Sequence, residues 1–137
     1  MADPHQLYDM VDEDDQLISL ATSVEILARG QWQRIVHIFL FNCQRQLLLC
    51  RRPYNPTKAY SGLWSSSAGG HVECGETYEQ AARRELCEEL GLEIPLQDSG
   101  RFDVVDENGK KIHHLFTGMY NGTGHPSGLE CAEARPR

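Results

Sequence analysis

Residues 70–92 read GHVECGETYEQAARRELCEELGL, and this stretch decides the fold. Thr77 followed three residues later by Gln80 is a capping box, which satisfies free N–H groups at a helix start. Gln80, Ala81, Ala82, Arg83, Arg84, Glu85 and Leu86 are mostly good helix formers. Gly91 supplies the left-handed stop. The spacing therefore predicts a helix over residues 78–90, with Tyr78, Ala82, Leu86 and Leu90 as its apolar stripe. Glu85, Glu88 and Glu89 stand at i, i+3 and i+4, so their carboxylates share one helix face at the edge of that stripe.

That placement opposes helix energetics. A helix C-terminus carries partial negative charge and favours cations by roughly 0.3–1 kcal/mol each. Three glutamates in the last two turns also repel one another. For these residues alone, a solvated acidic face is the ordinary explanation. A bound divalent cation is the other, and oxygen-only ligands favour Mg²⁺ or Mn²⁺ over zinc.

The pattern around the helix favours the second explanation. Gly70, Glu76, Arg84, Glu85, Leu86, Glu88, Glu89, Gly91 and Leu92 fill nine positions at fixed spacing over 23 residues. This resembles a complete Nudix box. The resemblance implies an α/β/α sandwich with a mixed sheet and the box as a loop–helix–loop. It implies hydrolysis of a nucleoside diphosphate linked to another moiety, with Mg²⁺ or Mn²⁺ required. By the same resemblance Glu85, Glu88 and Glu89 hold the metal, Glu76 and Arg84 brace each other, and Gly70 lets the backbone approach the ion. Those five side chains form the implied catalytic set, and Gly70 with the three glutamates forms the implied metal site.

The chain has 137 residues, which suits one domain covering residues 1–137. Apolar content of 40% and charged content of 24% are globular values. A net charge of −7 argues against a nucleic-acid polymer or an anionic membrane as partner. The five cysteines are odd in number and form no C-x-x-C pair, as expected of free thiols in a reducing cytoplasm. No signal peptide is expected, and the longest apolar stretch, residues 35–41, is too short to span a bilayer.

Working outward towards the start of the chain, residues 7–11 and 16–20 read as two strands around the acidic turn at 12–15. Residues 21–28 fit a short helix or a continuing strand. Residues 29–34 read as a polar bend, with Trp32 a packing residue or a base-stacking platform. Residues 35–42 form a strongly apolar strand suited to burial on both faces, with His37 a core or edge histidine. A turn at Gln44 and Arg45 leads into a strand over 46–51. Residues 53–62 are a loop of breakers, flanked or occupied by Arg51, Arg52 and Lys58, which suit phosphate oxygens.

After the box, residues 92–96 and 100–105 read as extended. Asn108-Gly109 signals a hairpin with both residues at positive φ, and 111–120 form the returning strand. The tail, 121–137, reads as irregular. A Nudix domain usually continues here with a strand and closing helix, so the sequence suggests a short or altered C-terminus without that helix. An uncovered sheet face would then favour homodimerisation.

Over residues 8–120 the layout also resembles, more loosely, the isopentenyl-diphosphate isomerase branch. LLLCRR at 47–52, Lys58, and GLWSSSAGGH at 62–71 carry that likeness, and in that branch Arg51 or Arg52 and Lys58 match diphosphate-binding positions. The isomerase needs a cysteine where Gly69 stands and a glutamate on the strand that here reads Ile112-His113-His114-Leu115-Phe116-Thr117. Lacking both, the sequence points to an isomerase-like scaffold carrying hydrolase chemistry on a small diphosphate substrate. Isomerase activity and a non-catalytic binding module are the alternatives.

Overall fold

A computed structural model describes residues 4–51, 64–122 and 135–136. Its framework is a mixed sheet centred on β3 (Trp32–Phe41). One side of β3 pairs in parallel with β9 (Gly109–Met119), from Trp32↔Lys110 to Phe41↔Met119. The other side is shared by three antiparallel partners: β1 (Tyr8–Val11) at Trp32, β7 (Ala68–His71) at residues 35–38, and β4 (Gln46–Leu48) at its far end. β2 (Leu17–Ala21) extends the sheet beyond β1, and β8 (Gln97–Asp106) extends it beyond β9. A small second sheet joins β5 (Cys50–Arg51) to β6 (Trp64–Ser65).

The alternation of side chains along β3 gives the sheet two unlike faces. Val36, Ile38 and Leu40 point to the inner face and are at most 1% exposed. There they meet Ala81, Ala82, Leu86 and Leu90 of α2 (Tyr78–Leu90), together with Ala68, Val72 and Phe116. Burying each large aliphatic side chain contributes about 1.5–3 kcal/mol, so this contact fixes α2 on the sheet. Ile35, His37 and Phe39 point to the outer face, where His37 and Phe39 are only half-buried. The expectation of burial on both faces therefore holds fully for one face. The helix α1 (Ser23–Ala28) lies on the outer side, where Ile26 packs with Tyr8, Met10 and Ala21. Two helices are thus formed among the described residues, and neither is long and apolar enough to cross a membrane.

The local signals around α2 act as expected. Thr77 and Gln80 make the reciprocal capping box, and Gly91 ends the helix at φ 67°. The 21–28 ambiguity resolves to helix because Thr22 and Glu25 form a second capping box. Arg45 takes φ 62° in the expected β3–β4 turn, stabilised by Asn42 Oδ1, which accepts from the Gln44 and Gln46 N–H groups.

Four expectations are corrected. Trp32 belongs to β3 instead of a bend, because it continues the parallel ladder with Lys110. Residues 92–96 are not a strand; Leu92, Ile94 and Leu96 pack against the α2 core, and regular pairing starts at Gln97. In the β8–β9 hairpin Gly109 has φ 114°, whereas Asn108 has no positive φ and instead donates its N–H to Asp106 Oδ1. The tail is not wholly irregular, since β10 (Arg135–Pro136) pairs antiparallel with β4. Residues 123–134, and the loop expected at 53–62, lie outside the described residues.

Candidate active site

The turn between β7 and α2 folds back on itself. Gly75 takes φ 80°, the Glu73 N–H donates to Glu76 Oε1 at 2.8 Å, and the Glu76 N–H donates to the Glu73 carbonyl at 3.0 Å. This turn sets Glu76 beside Arg84 on the second turn of the helix. Arg84 Nε donates to Glu76 Oε2 at 2.7 Å, and Nη2 reaches Glu76 Oε1 and the His71 carbonyl, each at 3.0 Å. Its remaining nitrogen, Nη1, donates to Glu85 Oε1 at 2.7 Å and to Glu88 Oε2 at 3.3 Å. A further ion pair runs from Nε to Glu73 Oε1 at 3.2 Å. The planar, five-donor guanidinium suits this role, which a lysine could not fill.

The electrostatics follow from that geometry. The hydrogen bonds that Arg84 donates to Glu76 and Glu85 raise its pKa further above the usual value, so its charge is fixed. Burial pushes the Glu76 carboxyl up, but the hydrogen bonds from Arg84 and the Glu73 backbone outweigh it and hold the carboxyl below its ordinary value. One cation thus offsets much of the repulsion that the sequence builds into this helix face.

Glu85 and Glu89 meet the strand at its two glycines. A Cβ on Gly70 would lie 2.6 Å from the Glu85 carboxyl, so only glycine leaves that carboxylate its place. The Gly69 N–H donates to Glu89 Oε2 at 3.3 Å. Glu76, Arg84, Glu85 and Glu88 are therefore gathered by direct contact, while Glu89 and Gly70 complete the set at the strand. Among the described residues no three acidic, histidine or cysteine side chains converge as a ready metal group, because Arg84 holds Glu85 and Glu88. Arg51 ends β5, while Arg52 and Lys58 lie outside the described residues.

Several participants were missed in the sequence. Glu73 shares Arg84, and its place three residues before Glu76 was the available signal. The Gly69 N–H and the His71 carbonyl are backbone groups that carry no residue-type signal at all. A second network braces the start of α2: Arg34 binds Asp15 at 2.6 Å and Asp9 at 3.2 Å, and the Tyr78 hydroxyl donates to Asp15 Oδ2 at 3.0 Å. Burial and Asp15 both push the Tyr78 phenol above its usual value, which keeps it a donor. Arg34 closes the stretch read as a polar bend, so nothing in that reading placed it on β3 within reach of this network.

A mixed sheet, a loop–helix–loop and a carboxylate set organised by one arginine define the class, and the NUDIX domain family model matches residues 31–135. The chain belongs to the Nudix family. It is 38% identical over 132 residues to an uncharacterized Nudix hydrolase of Pseudomonas aeruginosa, covering 95% of this chain and 77% of that protein. It is 31% identical over 121 residues to an isopentenyl-diphosphate Delta-isomerase of Serratia proteamaculans, covering 82% of this chain and 65% of the isomerase. The crystal structure of DR0079 from Deinococcus radiodurans superposes with a TM-score of 0.75 at 26% identity, covering 96% of this chain and 83% of that one. The Nudix hydrolases among the relatives support a hydrolase.

Proposed function

We propose that this protein hydrolyses the diphosphate linkage of a nucleoside diphosphate derivative, with Mg²⁺ or Mn²⁺ as cofactor. The observation that carries this reading is the carboxylate set itself: Glu85 and Glu89 directed at Gly70 and Gly69, with Glu88 beside them and Arg84 holding the group together. The donors fit a hard cation, being all oxygen, and the missing Cβ of Gly70 leaves the space in front of Glu85. Glu85, Glu88, Glu89 and the Gly70 backbone would hold the ion. When bound, it would polarise a phosphate and lower the pKa of a water.

In the step itself a water oxygen bonds to phosphorus and the bridging P–O bond breaks. The departing phosphate oxygen takes the bonding pair, and a box carboxylate takes the water proton. Arg84 keeps Glu85 and Glu88 oriented, and Glu76 keeps Arg84 oriented. Arg51, Arg52 and Lys58 are the proposed cations for the substrate phosphates.

The isomerase alternative has less support. A Cβ at position 69 would lie 2.8 Å from the Val36 carbonyl oxygen and 3.1 Å from His37 Nδ1, so a cysteine there requires the strand to move. β9, GKKIHHLFTGM, carries no carboxylate to act as the partner acid or base. Exposed free thiols at Cys43, Cys74 and Cys87 support the proposed reducing, cytoplasmic setting. Leu17, Ile18 and Leu20, left exposed on β2, support self-association, which sedimentation at two concentrations would measure.

The test is phosphate-product release from nucleoside diphosphate sugars, dinucleotides and triphosphates, with Mg²⁺, Mn²⁺ or chelator. Metal-dependent turnover of at least one member is expected, falling by about 100-fold or more in Glu89→Gln. Turnover unaffected by chelator and by that substitution would overturn the proposal. Binding without turnover would favour the non-catalytic module.

A further inference from the structure

The outer face of the sheet carries a group of rings that the hydrolytic step does not use. Register places His71 opposite Ile35, Ile35 opposite His113 and His113 opposite Phe102, a row across β7, β3, β9 and β8. In the next row Gly69 lies opposite His37. The rings of His37 and His113 lie 4.9 Å apart at 5°, and those of His113 and Phe102 lie 4.8 Å apart at 14°. His37 and Phe102 are 6.4 Å apart at 18°, so the three planes are nearly parallel and overlap like tiles. The outermost ring, Phe102, is 44% exposed.

This group is expensive to maintain for packing alone. His113 is 9% exposed, and its Nδ1 is buried with no hydrogen-bond partner among the described residues. A buried unsatisfied polar atom costs about 1–3 kcal/mol, which a phenylalanine at that position would avoid. His37 is held by Ser66: the Ser66 hydroxyl donates to the Ala68 carbonyl, so its oxygen accepts from His37 Nδ1. The charge around the rings is also directional. Lys111 stands two residues before His113 on the same face of β9, opposite Gln33, and after burial it adds to the lowering of the His71 and His113 pKa values.

The rings adjoin the candidate active site through Gly69. Its N–H points to Glu89, and the place where its Cβ would stand touches the His37 imidazole at 3.1 Å. One glycine therefore separates the catalytic carboxylate from the ring group. We infer that His37, His113 and Phe102 form a stacking subsite for the aromatic base of a nucleotide substrate, with Lys111 beside it as the counter-charge to a phosphate. This rests on the hydrolase reading for its substrate class, but the binding it asserts can be measured without turnover.

Two readouts separate the two proposals. In the first, adenosine 5′-monophosphate and ribose 5-phosphate are titrated into metal-free protein while the ring resonances of His37, His113 and Phe102 are followed by NMR. The base-bearing probe should shift these resonances saturably and bind about 5- to 100-fold more weakly to Phe102→Ala, with Phe102→Tyr retaining affinity. Ribose 5-phosphate, whose phosphate can still meet Lys111, should bind Phe102→Ala as well as it binds the unaltered protein. In the second, KM for a nucleoside diphosphate sugar should rise by a similar factor in Phe102→Ala at unchanged kcat, while an alkyl diphosphate is unaffected. Ring shifts without any turnover would sink the hydrolase reading and keep the subsite. Turnover with no ring shifts and no KM change in Phe102→Ala would do the reverse.

Discussion

The inner and outer faces of the sheet are assembled from different kinds of information. On the inner face, every carboxylate that Arg84 gathers lies between residues 73 and 88, within one turn and one helix. On the outer face, His71, His37, His113 and Phe102 come from four strands and meet only through register. The inner group is densely packed beneath and strongly charged above. The outer group is half-open, aromatic and polar at buried atoms. The contrast teaches that a helix can carry a site in one short motif, because i, i+3 and i+4 fix its geometry locally. A sheet face cannot, since each cross-strand neighbour is set by the pairing of distant segments.

The largest effect that would test this contrast is in packing. Leu86→Ala removes a side chain 1% exposed between α2 and β3, and should cost about 2–5 kcal/mol in urea denaturation. Phe102→Ala, at 44% exposure, should cost under about 1 kcal/mol. Equal losses would mean that the outer face is as much a core as the inner one.

Gly69 is the point where the two faces meet, and a smaller effect is expected there. Gly69→Ala brings Cβ against the rigid Val36 carbonyl at 2.8 Å and should destabilise by about 1–3 kcal/mol. Gly70→Ala meets the Glu85 side chain instead, so it should reduce turnover more than melting temperature. The opposite ranking would place the glycine requirement in the chemistry at 69 and in the fold at 70.

The subtlest test uses pH. Burial, then His37 and Lys111, lower the His113 pKa from 6.5 to about 4. The unfolded chain therefore takes up this proton first as the pH falls. The neutral imidazole's contribution is fully present above pH 6.5 and is lost as the pH falls towards about 4. His113→Gln should flatten that part of the stability profile, read as urea denaturation at several pH values. An unchanged profile between those pH values would show that His113 titrates normally.

Much of the inner face was legible in advance. Thr77, Gln80 and Gly91 set the helix ends, and Tyr78–Leu90 forms as the spacing required. The pairing of Glu76 with Arg84 followed from the family resemblance and is present at 2.7 Å. What the sequence did not disclose is that Arg84 also holds Glu85 and Glu88, so that the carboxylates are not already converged on a metal position. The turn at Gly75, with φ 80°, brings Glu73 and Glu76 to the same guanidinium, so the sharing of one arginine among four carboxylates is settled only in three dimensions.

By itself, then, the chain determined the box, its helix, the capping residues and the oxygen-only character of the proposed cation site, because all of these lie within one continuous stretch of 23 residues. Only the tertiary structure decided that β3 pairs in parallel with β9 and antiparallel with β7. That pairing puts His113 beside His37, leaves Gly69 as the thin point between the two faces, and turns isolated histidines into a row of rings. The physical reason is that strand registry depends on the summed hydrogen bonding and burial of whole strands, and no short window of sequence contains that sum.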